Sequence, residues 1–233
     1  MAVVQVTGTL LAPVVLPAIG FMPGDALLHT AAVRRRYPDT WASRTPETWE
    51  DIPLPVAYRD GVPLVSCVTL PGAVRGTATR AKLTDQIVLA GHKAKVPDDL
   101  AYMYKGAIAG EHTWHAPDFH FWCEVPRNLE DDFCDLLEGL DLLSLGSWRH
   151  VGFGRIGSVR DPDVVDRPSA LFDLEGRLLR PVPTEWHATR PPAAHRRAVR
   201  LSPPYWTGTV HAAYCPVPTT LYGGAAHGGF VEG

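Results

Sequence analysis

FHFWCEVPRNLEDDFCDLLEGLDLLSLGSWRHVGFGRIG, residues 119–157, carries a strand, a helix, a glycine-rich loop and the start of another strand. Phe119, Phe121, Cys123 and Val125 alternate with Asp118, His120, Trp122 and Glu124, the two-residue period of a half-buried strand. Asn128 then offers a helix cap, acids fill the first turn, and Leu129, Phe133, Leu136, Leu137 and Leu140 recur at helical spacing. Gly146 opens a loop through Gly157 that runs straight into a strand over Gly157–Val159.

Working outward, Val3 to Val15 reads as a first strand ended by Pro13 and Pro17. Pro23-Gly24-Asp25 supplies a turn and a cap for a helix with Leu27, Leu28, Ala31 and Ala32 at helical spacing. Arg34, Arg35 and Arg36 sit in its last turn, where cations suit the helix dipole, and Pro38 stops it. Thr40 to Asp60, with Pro46, Pro53 and Pro55, predicts an irregular connection that ends in a short extended piece at Leu54–Tyr58. Leu64–Leu70 reads as the second strand. The resulting order, β, α, β, β, α, β, predicts an α+β fold with a ferredoxin-like, RRM-like core.

Two segments exceed that minimal core: an insertion at residues 71–116 and an extension from residue 162 to 233. The boundaries predict a core unit over 1–161 and an irregular C-terminal extension over 162–233 packed on it, with a disordered Gly-rich end. The chain has 233 residues, 45% hydrophobic and 20% charged, enough to bury a core and too short for a several-domain machine. No apolar run reaches the roughly 18 residues of a membrane span, and neither a span nor a signal peptide is expected. Cys67, Cys123, Cys134 and Cys215 lie far apart with no C-x-x-C pair, which excludes a zinc ribbon and a disulfide scaffold and favours a reducing cytoplasm.

A net charge of -3 disfavours nucleic acid only if charge is evenly spread. It is not. Val74 to Val96 holds Arg75, Arg80, Lys82, Lys93 and Lys95 against Asp85, a local charge of about +4. Arg177 to Arg200 holds Arg177, Arg180, Arg190, Arg196, Arg197 and Arg200 against Glu185, about +5. The insertion is too long for a hairpin turn and too basic to be buried, so a projecting arm is expected. A solvated charged face is the plainer alternative.

Gly152-x-Gly154-x-x-Gly157 has the spacing of a dinucleotide fingerprint, but that motif follows a strand and opens a helix. Here the context is inverted, and no nicotinamide or flavin cofactor is expected. A glycine loop interleaved with Arg149, His150 and Arg155 instead suits a phosphodiester cradle, because glycine lets backbone N–H groups approach phosphates. A plain glycine-rich hairpin is the structural alternative. Phe153, Tyr205 and Trp206 offer faces for unpaired bases, or for core packing.

With its ferredoxin-like first strand, G-x-x-x-x-x-G-x-G loop before the last strand and basic insertion, the chain resembles the RAMP superfamily of CRISPR proteins. More narrowly it resembles the Cas-five-like subunit of type IV CRISPR effector complexes. The matching stretches are Thr7–Val14, Gly24–Leu28, Ile52–Val56, the Gly146–Gly157 loop, Arg180–Pro183 and Pro203–Trp206. One departure is Ser147-Trp148, where such loops commonly carry a Lys or Arg pair. The resemblance implies a cytoplasmic, non-catalytic RNA-binding subunit of an antiviral ribonucleoprotein complex. It would grip the 5′ handle of the guide RNA (crRNA) and cap a filament of backbone subunits, with guide RNA and the other subunits as partners and no membrane. The RNA-binding candidates are Arg75, Arg80, Lys82, Lys93, Lys95, Gly146, Arg149, His150, Gly152, Phe153, Gly154 and Arg155.

Three rivals stand beside this reading. A metal-independent crRNA-processing endoribonuclease needs a general base and a cation, which His29 or His150 with Arg149 or Lys82 would supply. His112-x-x-His115-x-x-x-x-His120-x-x-Cys123 invites zinc, yet His120 and Cys123 fall on opposite faces of one strand, and no metal site is assigned. A structural adaptor without RNA contact is the third.

Overall fold

The computed structural model describes residues 1–17, 19–40, 52–82, 107–147, 152–203, 205 and 208–222, with only the backbone over 79–82 and 107–111. Its central strand is β1 (Ala2–Leu10), which pairs antiparallel with β7 (Asp118–Val125) from Ala2↔Val125 to Thr9↔Asp118. Its other edge is shared by β8 (Ile156–Val159) and β9 (Asp163–Val165), also antiparallel. Val4, Val6, Phe119, Phe121 and Cys123 join one apolar cluster with Leu27, Leu28 and Ala31 of α1 (Gly24–Arg36) and Phe133, Leu136 and Leu137 of α2 (Glu130–Leu137). Burying one such Leu or Phe fully contributes roughly 1.5–3 kcal/mol.

Several boundaries differ from the sequence reading. Residues Val3–Val15 are not one strand. The chain leaves the main sheet after Leu10, where Leu11 N–H donates to Arg155 O, and Val14–Val15 forms β2 in another sheet. Pro13, which has no N–H to continue the ladder, accepts instead from Gly154 N–H. Leu64–Leu70 is an irregular strand rather than a regular one. It meets β7 through antiparallel bridges at Val65↔Cys123 and Thr69↔His120, while Cys67 and Val68 N–H turn away to Leu179 O and Met22 O. Those outside acceptors break the ladder, because each backbone donor bonds one way only. Asn128 does not cap α2; a 3-10 turn at Arg127–Leu129 precedes the helix.

Just before that segment, β3 (Tyr58–Arg59) and β4 (Val62–Pro63) close a hairpin over Asp60-Gly61, both at positive φ (50° and 76°). Asp-Gly is the usual pair for such a turn, a signal that the sequence itself carries.

The extension after residue 162 is not irregular. It holds a three-stranded antiparallel sheet in the order β10 (Val182–Pro183), β12 (His211–Pro216), β11 (Ala194–Val199), and a short helix α3 (Pro218–Tyr222). The small inward side chains Ala194 and Ala213 gave this sheet little apolar alternation to read. Leu179, Leu201, Cys215, Leu221 and Tyr222 enter the main cluster. The expected disordered end, residues 223–233, lies outside the described residues.

Asp25, read as a helix cap, is wholly buried and serves as an anchor. It accepts from Tyr205 Oη at 2.7 Å and from Arg180 Nη2 at 3.3 Å. Arg180 is 1% exposed and also donates to Val65 O at 2.9 Å, Leu201 O at 2.6 Å, and Pro63 O. Burial pushes the Asp25 carboxyl up against the pull of Arg180, and works against the guanidinium, which Asp25 beside it holds above its ordinary value. This network ties the extension to α1 and to the irregular strand.

Candidate nucleic-acid interface

The glycine-rich loop and the insertion meet at β2. Insertion residues form β5 (Val74–Lys82) and β6 (Ala107–His115), paired antiparallel from Val74↔His115 to Lys82↔Ala107. At the base of this ribbon β6 also pairs with β2, Val14↔Trp114 and Val15↔Thr113. Val15 bridges Ser147 on its other side, with Ser147 N–H donating to Val15 O at 2.7 Å. The ribbon, β2 and the loop are therefore one hydrogen-bonded unit. From Gly76 to Lys82 the ribbon's ladder partners, among the described residues, are only its own two strands.

Within the loop, Gly146 and Gly154 have φ of 74° and 66°. A Cβ would lie 2.2 Å from Val15 O at Gly146 and 2.0 Å from Leu145 O at Gly154. Both glycines are required by close backbone packing. This corrects the cradle reading in part, since Gly154 N–H donates to Pro13 O, Leu145 N–H to Gly154 O and Ser147 N–H to Val15 O. Those donors face the protein rather than a phosphate. Gly152, with φ of 93°, is exposed with open space around it, beside half-buried Phe153 and exposed Arg155.

Of the other candidates, Arg75 is exposed at the ribbon base, and the backbones of Arg80 and Lys82 continue along β5 opposite Ala109 and Ala107. Lys93, Lys95, Arg149, His150 and Trp206 lie outside the described residues. His29 is 2% exposed within α1, and a base sealed in the core has no contact with an RNA 2′-hydroxyl. Tyr205 is half-buried, and its hydroxyl donates to Asp25.

The second basic patch is smaller than its charge count. Arg180 is buried, and Arg177 pairs with Asp173 at 2.6 Å and Glu175 at 2.9 Å. The zinc motif is split. Cys123 is in the core while His120 lies on the opposite face of β7. Burial pushes the Cys67 and Cys123 thiols well up, and that of Cys215 to about 11, so they stay neutral near pH 7.

The side of the main sheet opposite Val4 and Val6 carries a polar ladder that was not read from the sequence. Trp122 Nε1–H donates to Gln5 Oε1 at 3.2 Å, which turns Gln5 Nε2 towards His120 Nδ1 at 3.1 Å; Thr7 Oγ1 reaches the same nitrogen at 2.8 Å. An indole N–H only donates and the amide nitrogen only donates, so Nδ1 accepts and His120 is neutral with its proton on Nε2. Burial and Arg160 hold its pKa below the ordinary 6.5, against Asp118. Arg167 stacks over Trp122 at 4.3 Å. Alternation places Gln5, Thr7, His120 and Trp122 on one side, but only the register brings them together.

No protein-family description matches this chain, and no curated protein matches it. Among solved structures, the cryo-EM structure of the Type III-B Cmr-beta bound to cognate target RNA is similar with a TM-score of 0.40 and 12% sequence identity. The likeness covers 70% of this chain and 60% of that chain, so this chain spans less than two thirds of its length. Among the described residues no helix is long and apolar enough to cross a membrane.

Proposed function

We propose that this chain is a non-catalytic crRNA-binding subunit of a type IV CRISPR ribonucleoprotein complex, which grips the 5′ handle of the guide RNA and caps the backbone filament. The observation that carries the reading is the joining, through β2, of the basic ribbon to the glycine-rich loop that bears exposed Arg155. A phosphate backbone crossing this unit meets Arg155 and Arg75 on one rigid support, and guanidinium groups suit phosphate oxygens. The sheet order β8, β1, β7 and the irregular strand 64–70, with α1 and α2 in one core cluster, is read here as the ferredoxin-like βαββαβ core. The type IV assignment rests on the sequence resemblance.

The test is co-expression with a repeat–spacer RNA, followed by purification and sequencing of the retained RNA. Arg75→Glu/Arg155→Glu should lower retention of the repeat-derived 5′ end and its salt sensitivity, since each lost phosphate contact lowers the salt slope by roughly 0.7 on a single strand. His150→Ala should leave the RNA length unchanged. Retention equal to wild type in the double variant would overturn the site. Trimming of a repeat RNA to a defined product by the purified chain, stopped by His150→Ala, would establish the endoribonuclease instead.

A further inference from the structure

Between Glu185 and Glu232 the chain carries no carboxylate side chain, yet it holds Arg190, Arg196, Arg197 and Arg200 there, with His187, His195, His211 and His227. The fold gathers this run into the sheet β10–β12–β11 and leaves β11 as an outer strand. Side chains alternate along a strand, so His195 and Arg197 share one face, opposite Cys215 and Ala213, while Arg196 faces the other way opposite Tyr214. Arg190, Arg196 and Arg197 are exposed. The ion pairs of the described residues engage Arg35, Arg59, Arg160, Arg177 and Arg180, and none of these three.

Among the described residues no ion pair offsets this charge. Burial first, then Arg197 and Arg190, hold the His195 imidazole below its ordinary value, and the charge acting on Cys215 is that of Arg197. Positive charge clustered without counter-charge is costly in the free protein and is relieved by a polyanion. Arg197 Nη1 also donates to Ile19 O at 3.2 Å, which sets β11 beside the segment leading out of β2. An outer strand studded with cations is also a common defence against edge pairing, and that alternative predicts no ligand.

We propose that the outer strand β11, with Arg190, Arg196, Arg197 and His195, is a second binding surface for the sugar-phosphate backbone of a single-stranded nucleic acid, separate from the loop and ribbon. The choice of nucleic acid over an acidic protein rests on the function proposed above. The guanidinium groups supply sequence-independent phosphate contacts, so the surface holds the strand without reading bases.

The full chain is titrated into fluorescein-labelled oligo-uridine, and anisotropy is followed over a series of KCl concentrations. Two variants are compared: Arg190→Gln/Arg196→Gln/Arg197→Gln on β11, and Arg75→Gln/Arg155→Gln on the loop and ribbon. The β11 variant should lose roughly tenfold or more in affinity and about two units of salt slope, three contacts at about 0.7 each. Replacing the same three arginines by lysine should keep the slope, and thermal melts confirm folding. Wild-type affinity and slope in the β11 variant, with the loop–ribbon variant weakened, would overturn this surface and leave the proposed function intact. Weakening in the β11 variant alone would support this surface and overturn the loop–ribbon site. No binding of oligo-uridine by the wild type would overturn both. Competition by poly-glutamate as strong as by unlabelled oligo-uridine, charge for charge, would overturn it in favour of an acidic protein partner.

Discussion

At Gly154 the chain turns at a φ of 66° while Leu145 O sits 2.0 Å from where a Cβ would stand; at Gly152 the φ is 93° and the space is open. The two glycines look alike in sequence and differ in what a side chain would meet. Gly154→Ala is expected to lower unfolding free energy by about 3 kcal/mol, because the strained φ and a backbone clash add. Gly152→Ala should cost only about 1 kcal/mol from its φ. Urea denaturation of both variants checks this, and equal losses would contradict it. Arg180 shows the same limit of residue identity. It counted as one of the basic patch in the sequence, and only its place beside Asp25 and Tyr205 makes it a buried anchor.

Among the elements, β1 and β7 pair without interruption from Ala2↔Val125 to Thr9↔Asp118, and the polar ladder of Gln5, Thr7, His120 and Trp122 depends on that register. His120 is held neutral in the folded chain below its ordinary 6.5, so the unfolded chain binds its proton more readily. Its contribution is therefore present above pH 6.5 and is lost as pH falls towards the depressed folded value. Melting temperatures followed from about pH 8 down to about pH 5 should fall more steeply for wild type than for His120→Gln, which has no such proton to take up. Parallel curves would show that His120 titrates alike in both states. Alternation alone identified the two faces of β7. Leu64–Leu70 was legible as a strand too, but its irregularity was not, since the donors of Cys67 and Val68 are claimed by residues far away in sequence.

For the whole molecule, the C-terminal extension is part of the core that supports the ribbon. Tyr222 is fully buried and its ring lies 5.5 Å from that of Trp114 on β6, while Leu70 N–H donates to Leu221 O. Tyr222→Ala should therefore cost about 3–5 kcal/mol by leaving a cavity, and should raise hydrogen exchange at the base of β6 as well as in α3. Destabilisation with unchanged protection at Thr113 and Trp114 would mean that the ribbon stands independently of the extension.

The strand–helix pattern of residues 118–140, the helix at Gly24–Arg36, the strand before the C-terminal extension and the concentration of cations in the insertion were all readable from the chain. Each depends on neighbours a few residues apart, through side-chain period, turn chemistry or charge count. The departure of the chain from the main sheet after Leu10, the capture of Val14–Val15 by β6 and Ser147, the buried Asp25–Arg180–Tyr205 network and the sheet hidden in the extension came only with the tertiary structure. All four pair groups from distant parts of the chain. Which distant donor meets which acceptor is settled by burial of the common core, a competition among all segments that no local pattern records.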